Sequence, residues 1–177
     1  MKLLGISGSL RQASFNRKLL REAARLTPNA VFTKADLNMP LYDGDLETAE
    51  GLPQAVTNLV AQIAAADGVV ISTPEYNKGI SGVLKNALDW VSRADGNPWL
   101  NKPVAIISAT AGRGGGERAQ TMAQNCMAPF SPQLVLGKEV LVGQVSAQFG
   151  DNDRLTNDRY EAGLCALMAR LAALSDV

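Results

Sequence analysis

The sequence predicts an α/β fold: a doubly wound, five-stranded parallel sheet in the order 2-1-3-4-5, covered by helices on both faces as a three-layer α/β/α sandwich. Three observations predict it. Short apolar runs alternate with amphipathic helical stretches along the 177 residues, the pattern of repeated βα units. Two of the runs, "GVVIS" (Gly68–Ser72) and "PVAIIS" (Pro103–Ser108), are apolar throughout, as strands buried on both faces are. The loops of unusual composition follow the first, third and fourth strands, whose carboxyl ends this strand order brings together at the topological switch point. The length suits one domain, residues 1–177, with a substantial core.

Each element has its own signal. Lys2–Ser7 reads as a buried strand. Asn16–Leu26 reads as a helix, with Leu19, Ala23 and Leu26 on one face, widened by Leu20 and Ala24. Ala30–Ala35 is the second strand. Asp36–Pro53 reads as a long polar connection, and a helix follows over Gln54–Ala66 with Val56, Leu59, Val60 and Ile63 inward. After the third strand, Gly82–Ala94 carries a stripe of Val83, Ala87, Val91 and Ala94, flanked by Leu84 and Leu88, opposite Lys85, Asn86, Asp89 and Arg93. A helix begins near Glu117 after the fourth strand. Leu134–Val142 holds the fifth strand, with an interruption expected near Gly137. The last helix spaces Tyr160, Leu164, Leu167, Met168, Leu171 and Leu174 along one side.

Composition excludes several classes. Seventeen basic and seventeen acidic residues give zero formal net charge, with no signature of nucleic acid or an anionic membrane as partner. No run approaches the ~18 apolar residues of a membrane span, and the opening apolar run breaks too early for a signal peptide, so no membrane insertion and a cytoplasmic location are expected. The chain has no histidine, which removes Ser-His-Asp and Cys-His machinery and every His-ligated metal site. Cys126 and Cys165 match no metal spacing, and Cys165 lies in an apolar helical run, so a buried thiol is expected there.

The first loop, "GISGSLRQASFN" (Gly5–Asn16), is rich in hydroxyls and carries one guanidinium. It matches neither G-x-G-x-x-G nor the P-loop, and it misses the nucleophile elbow because Ser9 replaces the last glycine. What remains is a hydroxyl nest at a helix N-terminus. Ser9, Ser14 and Asn16 offer side-chain donors and Arg11 adds charge, which suits a terminal phosphate monoester. Ser14 or Asn16 also serves as a helix cap. The third loop, "STPEYNKGISG", reads either as a turn or as a wall for a flat ring, with Pro74 stiffening the chain and Tyr76 supplying π surface. The fourth, "SATAGRGGGER", reads as a mobile surface loop or as four glycines laying backbone amides against a ligand. Trp90 and Trp99 fit an interface or the core edge equally.

Together, "GSLRQASFN", "TPEYNKGISGVLKNALDW" and "KPVAIISATAGRGGGERAQ" resemble the NAD(P)H-dependent FMN reductase family of the flavodoxin-like fold, closest to its quinone and chromate reductase branch. The resemblance implies that Ser9, Leu10, Arg11, Ser14, Phe15 and Asn16 surround the FMN phosphate and ribityl chain. It implies that Pro74, Glu75, Tyr76 and Asn77 border the isoalloxazine, and that Ser108, Ala109, Thr110 and Gly112 approach its other side. It also implies a homodimer or homotetramer. The reaction it implies is ping-pong: NADPH or NADH passes hydride to flavin N5 and leaves, and a quinone-like acceptor then collects two electrons. Arg113, where many relatives carry an uncharged residue, reads as a seat for an anionic part of NAD(P)H or of an acceptor, or as a solvated surface arginine. A non-enzymatic flavodoxin-like electron carrier and a flavin-binding sensor module are the alternatives.

Overall fold

The computed structural model describes residues 1–175. Five parallel positions make up the sheet: β1 (Lys2–Ser7), β2 (Val31–Lys34), β3 (Gly68–Thr73), β4 (Pro103–Ala109) and a fifth position shared by β5 (Gln133–Leu134) and β6 (Leu141–Val142). The order is β2-β1-β3-β4-β5, as expected, with β6 also paired to β4. β5 lies beside Pro103 and Val104, and β6 beside Ser108 and Ala109. The predicted fifth strand is therefore one strand broken in the middle. Gly137 permits the break: a Cβ there would lie 2.9 Å from the Arg170 guanidinium, which itself donates to the Leu136 carbonyl at 2.8 Å.

Alternation along the strands separates two cores. Leu4, Ile6, Val69, Ile71, Val104 and Ile106 face one side, packed by α3 (Gln54–Ala65), α4 (Gly82–Val91) and α5 (Glu117–Met127). Leu3, Val70, Ala105 and Ile107 face the other, packed by α1 (Phe15–Arg25) and α6 (Asp158–Ser175). Gly5 interrupts the apolar run of β1 because the Phe32 ring lies over it, 2.6 Å from where a Cβ would be.

Three expectations are corrected and one open choice is decided. The connection after the second strand holds a short helix, α2 (Gly44–Glu50), capped by Asp43, whose carboxylate accepts from the Asp45 N–H at 2.9 Å. α2 buries no residue, so it leaves no apolar stripe in the sequence. On α4, Ala87 and Val91 are buried with the flanking Leu84 and Leu88 as expected, but Trp90 joins them and Val83 is only half-buried. Of the two readings open for Trp90 and Trp99, the core holds: both are fully buried. The Trp90 indole N–H donates to the Pro40 carbonyl at 2.8 Å and latches the connection to α4. Cys165 is exposed: Leu164, Leu167, Met168 and Leu171 form the inward side of α6, and the next position after Leu164 turns outward.

One buried acid ties the sheet's second face together. Glu22 on α1 accepts from both Arg25 guanidinium N–H groups at 2.9 Å and from the Leu155 backbone N–H at 3.2 Å. Arg25 also pairs with Glu161 on α6. Glu22→Ala leaves the Leu155 amide without its acceptor and Arg25 with Glu161 alone, and is expected to lower the unfolding free energy by about 2–3 kcal/mol, read from the urea midpoint.

Candidate functional site

The loops after β1, β3, β4 and β6 meet beyond the carboxyl ends of the strands and enclose a cavity of about 410 Å³. That size lies within the range of small-molecule sites. Its wall comes from Ser9, Arg11, Ser14, Phe15 and Asn16 on one side and from Pro74, Glu75 and Tyr76 on a second. Ala109, Thr110, Ala111 and Gly112 form a third, and Val145 with Ser146 a fourth. Three far-separated stretches singled out in the sequence thus converge.

Ser14 is the cap of α1. Its backbone is extended (φ −66°, ψ 130°), and its hydroxyl oxygen accepts from the Asn16 N–H at 3.2 Å. The first turn of α1 holds no acid and carries Arg17 and Lys18 instead. Cations at this end of a helix are unfavourable by themselves, so each is accounted for by a local partner. Arg17 reaches back beneath the loop, donating to the carbonyls of Ser9 (3.2 Å) and Leu10 (2.9 Å) and to Gln12 (2.8 Å). Lys18 pairs with Asp153 at 2.6 Å, and Lys18 and Arg21 beside it hold that carboxyl below its ordinary range. Arg11 takes part in no ion pair among the described residues and faces the cavity. The result is an electropositive, hydroxyl-rich end.

Asn16 has a different job from the expected phosphate donor. Its side-chain N–H donates to the Ala109 carbonyl at 2.9 Å, while its carbonyl oxygen accepts from the Ser72 hydroxyl (2.8 Å) and the Ala109 N–H (3.1 Å). One amide therefore ties the start of α1 to the ends of β3 and β4. Gly8 is pinned similarly, donating to the Ser72 carbonyl and accepting from the Ser81 hydroxyl at 2.6 Å. Leu10 points outward, 40% exposed, away from the cavity lining.

In the third loop, Tyr76 and Gly79 form a two-residue hairpin turn with Asn77 (φ 50°) and Lys78 (φ 68°) both left-handed. This is the type I′ pattern. Asn77 sits at the turn's tip, outside the cavity wall, while Tyr76 stays half-exposed on it. The Glu75 carboxylate accepts from the Ala119 N–H at 3.3 Å, capping α5 from another loop.

The fourth loop uses its glycines differently from one another. Gly115 (φ 64°) and Gly116 (φ 96°) are left-handed and pressed against the Leu141 backbone and the Ser108 side chain, where a Cβ would lie at 2.5 and 2.7 Å. They pack the loop onto the sheet, and only Gly112 reaches the cavity. Ser108 is buried beneath the loop, donating to the Gly115 carbonyl at 2.5 Å and accepting from Gln120 at 2.9 Å. Arg113 is exposed and outside the cavity wall. Val145 and Ser146 went unnoticed in the sequence. Their signal was only their place after the fifth strand. They are zipped to the fourth loop by Val145 N–H to Thr110 (3.1 Å) and Gln144 N–H to Gly112 (3.1 Å).

A doubly wound sheet with an anion-ready helix start and a flat-walled cavity at its switch point defines the flavodoxin-like class of mononucleotide-binding folds. Comparison with known proteins narrows this: the chain belongs to the family described as NADPH-dependent FMN reductase, matched over residues 1–147. It is 41% identical over 161 residues to an NAD(P)H-dependent FMN reductase of Pseudomonas aeruginosa, covering 90% of this chain and 86% of that one. It is 40% identical over 150 residues to a quinone reductase of Escherichia coli K12, covering 82% and 78%. Among solved structures, a flavoenzyme NAD(P)H:(acceptor) oxidoreductase from Paracoccus denitrificans superposes with a TM-score of 0.88 at 27% identity, covering 99% and 98%.

Two measurements check the local assignments. Asn16→Ala is expected to lower stability of the ligand-free protein by about 2–3 kcal/mol in urea, because three buried partners lose their bonds. Lys78→Gly relieves a left-handed lysine and is expected to raise stability by about 0.5–1 kcal/mol in the same assay.

Proposed function

We propose that this protein is an FMN-dependent oxidoreductase that takes two electrons from NADPH or NADH and passes them to quinones or similar small acceptors in a ping-pong cycle. Membership of the family and the relatives named above support the activity. The observation that carries the site is the pairing of an uncommitted Arg11 with free serine hydroxyls at the start of α1, at one end of a cavity of about 410 Å³.

The residues present fit FMN. A terminal phosphate carries nearly two negative charges and three acceptor oxygens. The α1 N-terminus supplies the Phe15 backbone N–H and the positive end of the helix dipole, the amides of Asn16, Arg17 and Lys18 being bonded to Ser14. Ser14 keeps its hydroxyl proton free while its oxygen caps the helix. Ser9 is buried and its hydroxyl makes no hydrogen bond among the described residues. At the other end, Pro74–Tyr76 and Ala109–Gly112 present mostly backbone and small side chains, a slot for a planar ring.

When bound, FMN supplies the hydride and electron chemistry, so an acid–base dyad is unnecessary. The chain's part is to hold the phosphate, keep the slot rigid and admit flat reactants at its mouth beside Tyr76. Chromate and azo compounds belong to the same acceptor range because an open mouth selects for redox potential more than shape. No helix among the described residues is long and apolar enough to cross a membrane. We read the protein as cytoplasmic, as one FMN-binding domain, and as a homodimer or homotetramer. Leu41 (79% exposed) and Leu100 (56% exposed) offer apolar surface for self-association, and sedimentation analysis decides the state.

The test is anaerobic stopped-flow. Flavin bleaching by one or both nicotinamides, followed by fast reoxidation with a quinone, is the expected result; protein that binds no FMN overturns the reading. Arg11→Ala is expected to weaken FMN by roughly 10- to 100-fold, as loss of a charge-assisted phosphate contact does, and to leave riboflavin binding unchanged in calorimetry.

A further inference from the structure

Glu75 lines the cavity yet its carboxylate is turned to the start of α5, and this placement links the flavin's surroundings to a helix dipole. We propose that Glu75 is a positioning residue that lowers the reduction potential of the bound flavin by countering the positive end of α5. The inference rests on the flavin reading above.

α5 has no capping side chain of its own. Its cap residue is Gly116, which has no side chain to satisfy the first-turn N–H groups. Glu75, 44 residues earlier, supplies the acceptor for the Ala119 N–H at 3.3 Å. The bond ties the Pro74–Tyr76 wall of the slot to the helix that follows its Ala109–Gly112 wall. An uncapped helix start beside that slot presents about half a positive charge and favours an electron-rich ring. A carboxylate there reverses the sign. Among the residues that line the cavity Glu75 is the one acid, and Arg11, the one base, belongs to the phosphate end.

The sign follows from Coulomb's law. Reduction adds negative charge to the ring, and a fixed carboxylate beside it opposes that addition. Glu75 thus makes the reduced flavin a better donor to an acceptor, at some cost in the driving force from the nicotinamide.

Glu75→Gln separates charge from geometry, because the amide oxygen still accepts from Ala119. In Glu75→Gln the protein is expected to bind oxidised FMN within about twofold of the parent and reduced FMN on the order of tenfold more tightly, moving the potential positive. Glu75→Ala is expected to move it in the same direction and, in the protein without FMN, to speed hydrogen exchange at the Ala119 amide. An unmoved or more negative potential in Glu75→Gln, with Ala119 still protected, overturns the role of Glu75. Failure of the parent chain to bind FMN at all overturns the flavin reading instead.

Discussion

The site depends on one side-chain amide. Asn16 sits at the second position of α1, and its three hydrogen bonds reach Ser72 at the end of β3 and Ala109 at the end of β4. Parallel strands end with backbone groups that the sheet no longer pairs, and a buried amide that satisfies several of them at once is costly to replace. The same three bonds fix where the dipole of α1 points relative to the two loops beyond β3 and β4. Without this strut the positive helix end and the flat slot would be joined only through the sheet below them.

Around it, polar side chains fall into two groups. Most are spent inside the protein: Arg17 under the first loop, Ser81 on Gly8, Gln120 on Ser108 and Val140, Glu75 on α5. A few are left for the cavity: Arg11 and the hydroxyl protons of Ser9 and Ser14. The first group makes the second effective. A donor held in place before a ligand arrives loses little entropy on binding, so rigid loops raise the value of each free donor.

Much of this was legible in the sequence, and the reasons for the rest are physical. The strand order and the convergence of three loops followed from alternating βα units and from the switch-point rule. Ser9, Arg11 and Ser14 stood out because a helix start without glycine or acid, but with hydroxyls and a guanidinium, is an unusual composition. The bracing roles were invisible because they pair residues far apart: Asn16 with Ala109 across 93 positions, Glu75 with Ala119 across 44. Arg17 did leave a signal, a base in a first turn where acids are favoured. α2 left none, since it buries nothing and is held by surface contacts of Glu47 with Tyr42 and Arg93. Arg93 and Tyr42 hold the Glu47 carboxyl below its ordinary range.

The glycines of the fourth loop show how one composition supports two different demands. A run of glycine near a ligand invites the view that all of them make room for it. Here Gly115 and Gly116 make room for the protein itself, letting the loop fold back onto Leu141 and Ser108 in left-handed backbone. That packing is what carries Gly112 and Thr110 to the cavity, where the Val145 and Gln144 amides then hold them from the fifth strand's loop. The ligand-facing backbone is stiff because the glycines beside it are consumed in tight contact. A glycine-rich loop at this position is thus a means of rigidity. An alanine at 115 would disturb the slot from behind, through the Leu141 backbone, without adding an atom to the cavity wall.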